Sequence, residues 1–124
     1  PYGPWHDVTM AVDSPLAQAL AELARDRWWR ATGERLPILP LRDDLWPDEL
    51  EPHFKNSRFG IARTQAPYKE WEEVREVEAL FLDVIASARR FLYAENQYFT
   101  SPRLAAAIMR RLEEPDPPEI VLVN

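Results

Sequence analysis

Apolar positions follow two rhythms along this chain. Val74, Val77, Phe81, Val84, Ile85 and Ala88 recur at helical spacing, which predicts an amphipathic helix over residues 70–90. Glu70, Glu72 and Glu73 load its first turn and Arg89 and Arg90 its last, both favourable to the helix dipole. An earlier helix is expected to start at Asp13-Ser14-Pro15, a capping side chain followed by proline, and to stop at Gly33. Leu16, Leu20, Leu23 and Trp28 share one face of it, with Ala19 and Ala24 beside them, and Arg25, Asp26 and Arg30 take the wet side. Ser101 caps a further helix with Pro102 at its first position, and Leu104, Ala107, Ile108 and Leu112 form its stripe. Pro115-Asp116-Pro117-Pro118 breaks it.

The second rhythm is that of strands. Val8, Met10 and Val12 alternate with Thr9 and Ala11, which predicts a strand over residues 8–12, and residues 59–63 read as another. Residues 91–94 form a short apolar run rich in aromatics, the signature of a buried strand. Residues 120–123 are continuously apolar, so that strand is expected to be covered on both faces. Strands alternating with helices predict an α/β fold, a partial sheet with flanking helices. About four strands and three main helices are expected, with a right-handed parallel crossover over the last thirty-odd residues.

Residues 37–56 break both rhythms. Pro37, Pro40, Pro47 and Pro52 stand among Asp43, Asp44, Asp48, Glu49 and Glu51, so long regular structure is not expected there. The segment reads as a surface excursion anchored by Ile38, Leu39, Leu41, Leu45 and Trp46.

Composition narrows the function classes. The 124 residues suit one domain, and 46% apolar content with five Trp is enough for a core. A net charge of −6 argues against a phosphate-backbone binder, so no nucleic acid is expected as partner. With no Cys, thiolate metal sites are excluded and the redox compartment is not legible. The acidic cluster at 43–51 lacks the rhythm of a calcium loop, and no metal or other cofactor is expected. No apolar run reaches the roughly 18 residues of a membrane span, so the chain is expected to be soluble or peripheral at a membrane. It begins at Pro1 without a Met and stops on a strand, and both ends read as cut from something longer.

Candidate chemistry gathers where the 91–94 strand ends. Glu95, Asn96 and Gln97 place a carboxylate and two amides at a strand's carboxyl end, where open α/β sheets hold ligands. They could orient a base or bond a phosphate; they could equally tie neighbouring loops together. Strand alternation sends Glu95 and Gln97 to one side and Asn96 to the other. Trp5-His6-Asp7 joins an aromatic, an imidazole and a carboxylate, but neighbours on a strand face opposite ways, which favours a local bracing role. His53-Phe54-Lys55 is the one His-x-Lys, yet Gly60 stands where an Asp would complete a phosphohistidine motif, and a solvated loop pair is the simpler reading. Ser14 and Ser101 read as caps.

The stretch Phe91-Leu92-Tyr93-Ala94-Glu95-Asn96-Gln97-Tyr98-Phe99 resembles the Ile-Tyr-Ile-Glu-Asn-Gln-Tyr/Phe-Phe stretch of the phospholipase D superfamily, and Pro4-Trp5-His6-Asp7 resembles that family's Pro-Trp-His-Asp. A helix ending in Arg27-Trp28, then Arg63-Thr64, follows in the family's order, and the resemblance covers most of the chain outside about 37–56. It implies that residues 1–124 are a fragment of one phospholipase D-like catalytic domain. The implied parent hydrolyses or transfers the head group of a phospholipid through a phosphohistidine intermediate.

The family's hallmark, His-x-Lys-x-x-x-x-Asp, has no complete copy here. In the family one such His attacks phosphorus, the other acts as general acid, and the Lys side chains hold phosphate oxygens. The chain resembles the segment between two such copies, so it holds no catalytic residue of its own. Glu95, Gln97 and Asn96 are supporting candidates, and Trp5, His6 and Asp7 structural or cleft candidates. The expected partners are a phospholipid and the remainder of the same polypeptide, and the isolated segment is expected to be inactive. The other readings are a non-catalytic relative that binds lipid or protein, and a nuclease of the same superfamily.

Overall fold

The structure, a computed structural model, describes residues 7–40 and 46–124. Trp5, His6, Leu41, Asp43, Asp44 and Leu45 lie outside the described residues. The chain forms two compact units, Pro1–Phe59 and Gly60–Asn124.

The first unit is built on α1, Ser14–Thr32. Pro15 stands in its first turn, where a missing N–H costs nothing, and Asp13 precedes it in extended conformation. Gly33 ends it at φ 78, with its N–H donating to the Trp29 carbonyl. The face expected to be wet is half-buried instead. Arg25 pairs with Glu22 at 2.5 Å and Arg30 with Asp26 at 2.7 Å, and Arg35 sits 4.3 Å from the centre of the half-buried Trp29 ring. Leu20 and Trp28, placed on the apolar face, are 43% and 45% exposed. Long arginine stems over an indole cover apolar area here, so charge did not mark the outside.

Residues 8–12 are not a strand: no ladder partner is present among the described residues, and Val8 and Met10 are exposed. The described part of the 37–56 excursion carries no helix or strand. Its fixed point is a turn in which Leu50 N–H donates to the Pro47 carbonyl and the Trp46 indole to the Leu50 carbonyl.

The second unit holds the sheets. Residues 59–63 are not a strand either; pairing begins just after them. β1, Thr64–Gln65, and β2, Val74–Arg75, form an antiparallel hairpin. Tyr68 and Trp71 exchange backbone hydrogen bonds across its connection, with rings stacked 6.1 Å apart and Lys69 at φ 52 in the turn. This pairing captures Glu70, Glu72 and Glu73, so α2 covers Glu76–Ser87 rather than 70–90. Arg89 and Arg90 likewise fall beyond its end.

The helix start is satisfied from the hairpin side. The Arg63 carbonyl accepts from the N–H groups of Glu76 and Val77, and the Glu76 carboxylate returns to the Arg63 N–H at 3.0 Å and to its guanidinium at 2.8 and 2.6 Å. Two otherwise orphaned helix donors thus find partners.

β3, Phe91–Glu95, and β4, Glu119–Val123, pair in parallel, with Phe91 opposite Glu119 and Glu95 opposite Val123. The connection between them is α3, Pro102–Leu112, capped by Ser101 Oγ accepting from Leu104 N–H. The core of this unit is Ile85, Ala107 and Ile108, packed by Leu82, Leu92, Phe99, Leu104 and Ile120. Arg103 bonds Glu78 at 2.6 Å, and Arg111 donates to the Ala88 carbonyl, so α3 is tied to both ends of α2.

The fold is α/β, with three helices and four short strands among the described residues. The expected covering of the sheet is corrected. Leu92 and Ile120 face the core, whereas Phe91 and Tyr93 are 70% and 56% exposed, and Val121 and Val123 stand open beside them. β4 is therefore not covered on both faces, and β3 is buried on one face only. The buried core of this unit lies on the side that α2 and α3 occupy.

Candidate functional site

The carboxyl ends of β3 and β4 fix the candidate loop. Ladder pairing runs to Glu95 opposite Val123, and Asn96 N–H extends it by donating to the Val123 carbonyl at 2.9 Å. The strand stops there, so period-two alternation reaches Glu95 but does not govern Gln97, which sits exposed in the loop.

Glu95 lies on the open face of the sheet, beside Tyr93 two residues back. The Tyr93 phenol donates to its Oε1 at 2.6 Å, and this bond to a carboxylate raises the phenol's pKa above its ordinary value. Asn96 Oδ1 accepts from Tyr98 N–H at 3.3 Å and bends the loop out of the strand. Asn124 closes it from the other strand: its Oδ1 accepts from Phe99 N–H at 3.1 Å. Ser101 then starts α3, so five residues separate the end of β3 from that helix cap. The result is a short loop held at both ends, presenting the Glu95 carboxylate and the exposed Asn96 and Gln97 amides.

Asn124 was not among the candidates. A lone Asn at the end of an apolar run gives no signal by itself; its role depends on Phe99 returning to it across 25 residues.

Of the remaining candidates, Asp7 is exposed and accepts from Val8 N–H at 2.8 Å. His53 and Lys55 are exposed in an irregular stretch of the first unit. Among the described residues no group of three His, Cys, Asp or Glu is placed to hold a metal. A shallow cavity of about 320 Å³ lies at the hairpin, lined by Thr64, Gln65, Arg75 and Glu78 among others. It shares no residue with the Glu95 loop, and its charges are spent on one another: Arg75 pairs with Glu73 at 2.6 Å, which lowers the carboxyl's pKa and raises the guanidinium's. No helix of the described residues is long and apolar enough to cross a membrane.

The carboxyl end of a parallel strand pair, where Glu95, Asn96 and Gln97 stand, is where open α/β sheets hold ligands. The chain is similar to phospholipase D alpha 1 of Ricinus communis, 26% identical over 124 aligned positions that cover 80% of this chain and 15% of that relative. The chain therefore spans about 15% of the length of the curated relative it matches. No protein-family model matches it. No solved structure matches it.

Proposed function

We propose that this chain is part of a phospholipase D-like phosphodiesterase that hydrolyses or transfers the head group of a phospholipid through a phosphohistidine intermediate. Its role is scaffold and cleft wall. The attacking histidine, the general acid and the phosphate-holding lysines come from His-x-Lys-x-x-x-x-Asp motifs on the remainder of the same polypeptide.

The observation that carries this reading is the 26% identity to a phospholipase D alpha over 80% of the chain. The strand-end geometry supports it. Glu95 sits on an open sheet face at a fixed backbone position, where a carboxylate beside a histidine from elsewhere would hold its ring and favour its protonated form. Asn96 holds the loop.

The parent coding sequence tests the reading. Two complete motifs flanking this segment are the expected result. A parent with neither motif would instead be a non-catalytic lipid- or protein-binding relative.

A further inference from the structure

Tyr93 and Glu95 are neighbours on one face of β3, and their side chains meet along the strand with the phenol donating to Oε1 at 2.6 Å. We propose that Tyr93 is a positioning residue for Glu95, holding the carboxylate in one orientation at the strand end for the reaction proposed above; the inference rests on that reading of Glu95.

The backbone of Glu95 is already fixed. It stands opposite Val123, and the next N–H, that of Asn96, donates to the Val123 carbonyl. The side chain is held in turn by the Tyr93 hydroxyl. A glutamate has several rotors and loses more rotamer freedom when held than most side chains. A tyrosine has two, and the Cα of Tyr93 is itself fixed opposite Val121. The stiffer side chain therefore restrains the looser one. A hydrogen bond to a charged acceptor is about twice as strong as a neutral one, which suits this task on an open face.

Within the β3–β4 ladder the other residues on that face are Phe91, Val121 and Val123, with Glu119 at its far end opposite Phe91. Tyrosine is thus the hydroxyl donor that this face offers at the i−2 position. The carboxylate raises the phenol's pKa chiefly through this bond, so the donor proton stays in place well past neutral pH.

The test uses the full-length protein and compares Tyr93→Phe, Glu95→Gln and the double variant in kcat, KM and melting temperature. Phenylalanine keeps the ring and removes only the donor. Tyr93→Phe is expected to lower kcat about 5- to 10-fold with KM changed less than about twofold, a loss no larger than that of Glu95→Gln, because the phenol orients the carboxylate and does not itself react. Its melting temperature should match the wild type. The double variant should be no slower than Glu95→Gln alone, because the phenol acts only through the carboxylate. Full activity of Tyr93→Phe beside a slow Glu95→Gln removes the positioning role and leaves Glu95 in the site. Effects that multiply in the double variant also overturn it. A fully active Glu95→Gln overturns both the inference and the reading of Glu95 on which it rests.

Discussion

Arg63 and Glu76 show how much one residue pair can organise. Their side chains form a two-pronged ion pair while the Arg63 carbonyl caps the start of α2. The Arg63 guanidinium lowers the Glu76 pKa, mainly through its hydrogen bonds. A carboxyl depressed in the folded state stabilises above its unfolded value, about 4.3, and the gain is lost as pH falls through the folded value. Glu76→Gln should therefore melt below the wild type at pH 7, and the gap should close on acidification below about pH 4. A gap that persists at low pH would mean that packing rather than charge sets it. This pair is not legible in the sequence, because thirteen residues separate its members and only the hairpin brings them together. Glu95 and Asn96 were legible for the opposite reason: their position at a strand's end follows from the apolar run before them. Which side chain would hold Glu95 was not, since tyrosine inside that run reads simply as apolar filling.

At the scale of elements, local chemistry wrote the caps at Gly33 and Ser101, whereas the side-chain cap expected at Asp13-Ser14 does not form, and tertiary pairing wrote the boundaries. Gly33 stops α1 in a left-handed conformation, and Ser101 starts α3, both as the residues imply. No atom stands within 4 Å of a Cβ added at Gly33, so Gly33→Ala should cost only its backbone conformation, about 1–2 kcal/mol in thermal unfolding. Gly33→Asn should cost less, since Asn tolerates that region better. Ser101→Ala should lose about 1 kcal/mol by removing the acceptor for Leu104 N–H. The start of α2 was misjudged because Glu70 to Glu73 suit a helix locally, yet Tyr68 and Trp71 bind their backbones to each other first. Residues 8–12 show the reverse error. Alternation describes a strand's faces, but a strand also needs a partner for its N–H and C=O groups, and the described residues supply none.

At the scale of the molecule, the second unit has helices on one side of its sheet and an open, largely apolar face on the other. Its core is small, so each buried side chain counts heavily. Ile108→Ala should destabilise it by about 2–5 kcal/mol, enough to abolish its cooperative unfolding transition if the unit is only marginally stable. Two-stranded parallel sheets are normally parts of wider, fully covered ones. The apolar runs at 91–94 and 120–123 announced strands and their parallel connection correctly. They announced burial on both faces, whereas the core lies on one face and Phe91, Tyr93, Val121 and Val123 stand exposed on the other.

The central claim is that Glu95, at the end of β3, serves phosphodiester chemistry in the full-length protein. Choline release from phosphatidylcholine, measured for the full-length wild type and for Glu95→Gln at equal folded concentration, tests it most directly. The account predicts turnover by the wild type and a loss of about 10-fold or more in the variant, the low end of what acid–base support contributes, with little change in melting temperature. No release by a folded wild type, or equal rates for the two proteins, would contradict it.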